Sequence, residues 1–409
     1  MRTRFFINAM KFCDKTVSLL NRTLSLFRRA HIRRQDCKTI GVIKLSAMGD
    51  ALCLMPAVRE LKNSIPDSRI VWLTTSRTNP LLFESLSFID KIETISFGPV
   101  GIIKLFILLV FHRVDVAIDF DQYYRSSEFI SFLWSRRNCL GFHTPLKGNL
   151  FAESVEYDNL RNEKLLFRDL VLTFTNRSAE QAGGFSVIIS EMKSCAISSD
   201  AIRVYVNDVK HLKKPLIVIC PGSSINAAFR RWSIDNFMSV AKYLTENGFA
   251  GVFLGGGDDS DLIDKINASI RDYPWFLNCI NKLSLREALS IVKQADLLIG
   301  NDSGMIHLAE LQGIPTIGIY GPNVAAKWGS LLPDSAAVEK DVPCRPCIKT
   351  YLARVPRKCK LGNPICLEQI QPGDIIAKIQ EFFASTTGTP KTHKVPTQIA
   401  AIQAAQLQI

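Results

Sequence analysis

The stretch Lys44-Leu45-Ser46-Ala47-Met48-Gly49-Asp50 follows a short apolar run, Thr39 to Ile43, and leads into apolar residues at helical spacing. Gly49 suits a tight turn or the close approach of a ligand. Asp50 has two readings. Aspartate is among the best helix N-caps, and a carboxylate can also take a proton from a substrate hydroxyl. Pro56 bears on the choice. If it occupies the first helical position, Asp50 stays in a loop; if the helix starts earlier, Pro56 lies inside it. Spacing by itself favours the cap.

Three more stretches have chemistry at similar places. In "PGSSINAAFRRW", Pro221 to Trp232, Ser223 and Ser224 can donate to a phosphate and Arg230 or Arg231 can neutralise it. The plain alternative is a surface loop with solvated arginines. In "LGGGDDSD", Leu254 to Asp261, the glycines lack the G-x-G-x-x-G order of a dinucleotide site, and the acids that follow would repel a pyrophosphate. Asp258 or Asp259 better suits a ribose hydroxyl or an adenine amino group. In "GNDSGMIHLAE", Gly300 to Glu310, Ser303 and Gly304 open a helix whose amides and dipole attract an anion. Asp302 precedes them and His307 lies about one turn on. A lone histidine so placed is ordinarily a core or capping residue.

All four stretches fall where a strand ends and a helix begins, and open α/β sheets bind ligands there. The elements around them alternate accordingly. "TIGVIKL", "RIVWLTT", "KIETI" and "VDVAIDF" read as strands with room for helices between them, and the alternation restarts after Pro215 with "LIVIC", "GVFL", "DLLIG" and "PTIGIY". A helix is expected from about Ser233, with Phe237, Val240, Ala241 and Leu244 on one face, stopping at Gly248. Ser284 and Glu287 form a capping box for another. The apolar run "GIIKLFILLVFH", Gly101 to His112, is far shorter than the ~20 residues that span a bilayer; it reads as a buried core helix.

The chain of 409 residues carries 50 Lys and Arg against 38 Asp and Glu, a net charge of +12, which favours an anionic partner. Basic residues interleaved with aromatics in a nucleic-acid module are not found, so no nucleic-acid partner is expected. Residues 2 to 34 hold nine Lys or Arg and one acid, Asp14. Leu20, Leu24 and Phe27 fall on one helical face there, as in a basic amphipathic helix on an anionic membrane surface; the alternative is a floppy basic tail. Eleven Cys without a secretory leader point to a reduced, cytoplasmic protein. The polar end of the chain, residues 384–409, reads as a mobile tail.

"KLSAMGDALCLMPAVRELKNSIPDSRI", "PGSSINAAFRRWSIDNF", "GNDSGMIHLAELQGIPTIGIYGP" and the cysteine-bearing "CRPCIKTYLARVPRKCKLGNPICLEQI" together resemble glycosyltransferase family 9, the lipopolysaccharide heptosyltransferases. The likeness covers residues 38–383. It implies an α/β GT-B fold, in which two Rossmann-like doubly wound domains face each other across a cleft and the last helix crosses back to the first domain. The expected division is a basic extension over 1–37, an acceptor domain over 38–210, a nucleotide-sugar domain over 211–383 and the tail. The implied activity is inverting transfer of a sugar, heptose carried on ADP, to a lipopolysaccharide core or related envelope glycan.

Asp50 matches the family's general base, which overturns the preference for a cap. Ser223, Ser224, Arg230, Asp258, Asp302, Ser303, Gly304 and His307 are the expected donor-binding residues, with Asp302 at the sugar. Arg230 stands where the family usually has lysine, so the charge is kept and the geometry is not. The implied partners are a nucleotide-sugar donor, a phosphorylated glycolipid acceptor and the anionic cytoplasmic face of the inner membrane, where the enzyme would sit peripherally. No cofactor is required by the resemblance, and stimulation by a divalent cation is left open. Cys344, Cys347, Cys359 and Cys366 are spaced C-x₂-C-x₁₁-C-x₆-C; the last pair lacks the short zinc-knuckle spacing, and a structural zinc is not expected. The competing expectations are a nucleotide-sugar epimerase of the same fold and an inactive family member that scaffolds envelope assembly. Retained Asp50, Arg230 and Asp302 argue against the second.

Overall fold

The computed structural model describes residues 37–96 and 98–385, together with residues 17, 20, 21, 23–27 and 31–34. The expected amphipathic helix over 1–37 and the mobile tail over 384–409 therefore lie largely outside the described residues.

The chain forms two compact units. The first ends at Ser186 and takes in Lys349–Val355. Its strands are β1 (Thr39–Ile43), β2 (Arg69–Thr75), β3 (Lys91–Ile95), β4 (Val116–Asp119), β5 (Cys139–His143) and β6 (Glu153–Glu156). They form one parallel sheet in the order β3-β2-β1-β4-β5-β6, with Ile40 opposite both Ile70 and Val116. Its longer helices are α1 (Met48–Ser64), α2 (Pro99–Phe111), α3 (Arg125–Trp134) and α4 (Glu163–Thr175). Gly41 in β1 is there for steric reasons: a Cβ would lie 2.5 Å from the buried ring of Trp134.

The second unit is Val187–Ile348 with the chain from Pro356. It holds β7 (Leu216–Cys220), β8 (Ala250–Phe253), β9 (Phe276–Asn278), β10 (Leu297–Asn301), β11 (Thr316–Tyr320) and β12 (Ala336–Glu339), in the parallel order β12-β11-β10-β7-β8-β9. Around them lie α5 (Asp200–His211), α6 (Ile234–Glu246), α7 (Leu285–Val292), α8 (Gly304–Leu311) and α9 (Pro372–Ser385). Alternate residues of β7 feed opposite cores. Ile217 and Ile219 join Phe237, Val240, Ala241 and Leu244, whereas Leu216, Val218 and Cys220 join Tyr205 and Val209. A strand buried on both faces must be continuously apolar, which is why "LIVIC" reads as it does. Each unit is the doubly wound α/β sheet expected from the alternation.

Four details differ from the sequence reading. The helix over 48–64 starts before Gly49, so Gly49 sits in its first turn and Pro56 lies inside it. The units divide at Ser186, ahead of the expected 210/211, because Ile197, Ile202, Tyr205, Val206 and Val209 already belong to the second unit's core. The last described helix is grouped with the second unit, Ile375 and Ile379 of α9 being part of the core built on β7 and α6, and the segment grouped with the first unit is Lys349–Val355, where Tyr351 stacks on Tyr157 at 5.7 Å. Finally, α2 is not a buried core helix. Only Gly101, Leu108 and Leu109 are buried; Val100, Ile102, Ile103, Phe106, Ile107 and Phe111 are exposed.

Candidate active site

In the first unit β1 and β4 are neighbours, but the chain leaves them toward opposite edges of the sheet. Loops diverging from two such strands open a crevice at their carboxyl ends. The loop after β1, Lys44 to Ala47, and the loop after β4, Phe120 to Tyr124, meet there.

Lys44 anchors the meeting. It is fully buried, and its Nζ donates to Asp121 Oδ1 at 3.0 Å and to Gln122 Oε1 at 2.9 Å. The other Asp121 oxygen accepts the Leu45 amide at 2.9 Å. Glu163, at the start of α4, accepts from Gln122 Nε2 and from the Tyr157 hydroxyl. Burial disfavours the Lys44 charge, but the carboxylates of Asp121, Asp50 and Glu163 outweigh it and hold its pKa above the ordinary lysine value.

Asp50 is the third residue of α1. Its carboxylate reaches back to accept the Ala47 amide at 3.0 Å and stands 3.9 Å from Lys44 Nζ. The N-cap is Ala47, which has no side chain to cap with. Asp50 therefore satisfies one helix-end donor and leaves its other oxygen for a partner, with a fifth of the side chain exposed. Asp50 is thus not the N-cap that spacing favoured; it lies inside the helix and bonds back to the amide of the N-cap residue. Burial raises its pKa above that of an ordinary aspartate; Lys44 opposes this and Glu163 adds to it. A raised pKa makes the carboxylate a stronger base. Ser46 and the Tyr123–Tyr124 hydroxyl pair lie beside it, with Ser46 Oγ 3.2 Å from the Tyr124 hydroxyl. Deeper in, Lys147 Nζ donates to Asp119 Oδ2, to the Asp121 carbonyl and to Ser127 Oγ, and burial raises the Asp119 pKa.

In the second unit the corresponding strands are β7 and β10. Arg230, after β7, pairs with Asp302, after β10, at 3.3 Å. Asn323 Nδ2, after β11, donates to the same Asp302 oxygen. Asn301 ties the two loops together, accepting the Trp232 amide and donating to the Pro221 carbonyl. Ser303 precedes the first turn of α8, beside Gly304, and lies next to Asp302.

The remaining expected residues are distributed unevenly. Ser223 is buried and its hydroxyl donates to the Ala227 carbonyl, whereas Ser224 is exposed. Asp258 is exposed and offers its carbonyl to Arg231; Asp259 is the acid that builds the loop, accepting the amides of Ser223 and Gly256 and pairing with Arg231 at 3.0 Å. Gly222 leaves room for it, since a Cβ there would lie 2.0 Å from Asp259 Oδ1. His307 is buried in α8, with its ring 6.2 Å from that of Trp328 and Nδ1 3.9 Å from Glu310.

Sequence reasoning missed Lys44, Asp121, Glu163 and Asn323. Lys44 stood in the quoted motif, but its significance depends on Asp121, from a strand that only the sheet order brings alongside. Among the described residues no group of three or more His, Cys, Asp or Glu is arranged to hold a metal ion. The Cys347 thiol donates to the Cys344 carbonyl and the Cys359 thiol to the Asn363 carbonyl.

The chain is similar to known proteins. The family model described as "Glycosyltransferase family 9 (heptosyltransferase)" matches residues 103–353. The lipooligosaccharide heptosyltransferase 2 of Campylobacter jejuni is 25% identical over 171 residues, 41% of this chain and 52% of that protein. The chain thus spans about half the length of that curated relative. The lipopolysaccharide core heptosyltransferase OpsX of Haemophilus influenzae is 25% identical over 296 residues, 69% of this chain and 79% of that one. The solved structure of Escherichia coli ADP-heptose lipopolysaccharide heptosyltransferase II superposes with a TM-score of 0.63 at 18% identity, covering 85% of this chain and 99% of that one, a likeness of fold.

Proposed function

This chain belongs to glycosyltransferase family 9, and from that premise we propose that it transfers a heptose from ADP-heptose to a lipopolysaccharide core or related envelope glycan, with inversion and without a covalent intermediate. The observation that carries the reading is Asp50: a carboxylate with a raised pKa, partly open to solvent, fixed at the carboxyl ends of β1 and β4 by an amide and a buried ammonium. In one displacement the acceptor oxygen bonds to the anomeric carbon while the bond to the diphosphate breaks. The acceptor hydroxyl proton goes to Asp50, and the electron pair leaves with the nucleotide.

Charge grows on the leaving diphosphate, so fixed donors near it contribute most. Arg230, Ser224 and the amides of Ser303 and Gly304 take that role. Ser223 and Asp259 hold the loop that presents them, and Asp258 is placed for a nucleoside hydroxyl. Asp302, held by Arg230 and Asn323, contacts the sugar, with His307 behind it on α8. The mechanism calls on no cofactor. The acceptor is a phosphorylated glycolipid, and the protein works peripherally at the anionic cytoplasmic face of the inner membrane. Among the described residues no helix is long and apolar enough to cross a membrane. The deciding experiment is a hydrolysis and transfer screen against ADP-, UDP-, GDP- and CDP-sugars; transfer from ADP-heptose alone supports the reading, and turnover of another nucleotide sugar in its place refutes the assigned donor.

Two outcomes follow directly. Arg230→Ala is expected to weaken ADP binding by about tenfold or more and adenosine binding far less, because a charge-assisted bond to phosphate is lost. Calorimetry with both ligands checks this, and equal losses place Arg230 away from the phosphates. The pH profile of kcat/KM is expected to fall on the acid side through a pKa above 3.8, the ordinary aspartate value, since a base works only when ionised and burial raises that of Asp50. An acid limb that bends at the ordinary value would assign the base elsewhere.

A further inference from the structure

A surface helix normally turns an apolar stripe to the core and polar side chains to water. Helix α2 does not. Val100, Ile102, Ile103, Phe106, Ile107 and Phe111 are between 43% and 81% exposed, and they cover its outward arc. The one charged side chain of the helix, Lys104, is turned to the sheet edge, donating to the Thr94 carbonyl and pairing with Glu93 at 3.3 Å. So many adjacent exposed apolar side chains mark an interaction surface.

The C-terminal end of the helix is basic. Trp134 Nε1 donates to the His112 carbonyl and the Val114 amide to the Trp134 carbonyl, which brings the exposed His112 and Arg113 beside the exposed Arg136 and Arg137 at the end of α3. Arg137 also lies 5.8 Å from the ring of Phe27 and donates to its carbonyl; Phe27 and Leu26 are themselves exposed apolar residues. The acid nearest in sequence, Asp115, is occupied by the amides of Lys38 and Thr39.

We propose that the exposed face of α2, with Leu26 and Phe27 and the rim of His112, Arg113, Arg136 and Arg137, docks onto an anionic phospholipid bilayer. A helix of 13 residues is about 20 Å long and cannot cross a hydrocarbon core of roughly 30 Å, so it lies in the plane of the interface with its apolar arc inserted. The basic rim sits at the phosphate level, where anionic lipid attracts it. The docking is independent of turnover; that it presents the first unit to a glycolipid acceptor rests on the function proposed above.

The test uses the full chain and sedimentation with phosphatidylcholine vesicles, with and without phosphatidylglycerol, at low and high salt. The Ile103→Glu/Phe106→Glu variant is expected to lose the salt-resistant binding, lowering the partition coefficient by about tenfold or more, with unchanged transfer to a short soluble acceptor. Ile103→Trp, read against the wild type, is expected to add emission that shifts blue with vesicles and is quenched by lipids brominated along the chain. Vesicle binding by the double variant equal to the wild type, or no quenching of the added emission, overturns the proposal. So does light scattering in which the double variant alone becomes monomeric without vesicles, since the face then belongs to a second copy. Failure of the soluble-acceptor assay with vesicle binding intact counts against the proposed function and not against the docking.

Discussion

Asp50→Asn is expected to cut sugar transfer by about 10²-fold or more while leaving donor affinity and thermal stability unchanged. Asparagine keeps an oxygen that can accept the Ala47 amide, so the start of α1 keeps its one side-chain bond. What it loses is the ability to take a proton. The carboxylate is also costly to bury, as its raised pKa shows, so a neutral amide does not weaken the fold on electrostatic grounds. Calorimetric donor binding, a melting curve and single-turnover transfer together decide the matter. A variant that unfolds, with a soluble remainder at full turnover, would make Asp50 a structural residue only.

Lys44→Met is expected to destabilise the first unit by about 3 to 5 kcal/mol, since it removes one partner of a buried charge cluster. Methionine fills the space but leaves Asp121 without its ammonium and Asp50 without the positive charge 3.9 Å away. The loss has a pH signature. In the variant Asp50, whose pKa burial already raises, loses the Lys44 charge that opposes the rise, so the folded state binds more protons there than the unfolded chain and stability falls as pH rises through the acidic range. In the wild type the Lys44 pKa is raised, so its contribution is present below pH 10.5 and lost only as pH climbs beyond it. Denaturant unfolding of both proteins from acid to neutral pH checks this. Equal midpoints at neutral pH would show that Lys44 does not hold the cluster.

The sequence by itself determined the elements and the kind of site. Strands β2, β3 and β7 run over the residues read as "RIVWLTT", "KIETI" and "LIVIC"; in β7 every residue is buried, and a strand buried on both faces has no place for polar residues. Ser233 and Ser284 accept helix-end amides as their capping patterns require, and Gly248 and Gly313 take the positive φ that follows a helix end. Local chemistry writes such features and the chain preserves them. The spaced motifs also identified the family.

Tertiary structure decided which strand ends meet. Nothing near Lys44 indicates that Asp121 and Glu163 will surround it; that follows from β1 lying beside β4. The partnership of Arg230 with Asp302 likewise depends on β7 pairing with β10. The sharpest divergence is α2. Its composition is that of a core helix, and burial of Leu108 and Leu109 honours part of it. An apolar pattern states that a face avoids water but not what will cover it. The fold supplies the sheet on one side of α2 and, among the described residues, nothing on the other, so a run that reads as interior in one dimension becomes a surface in three.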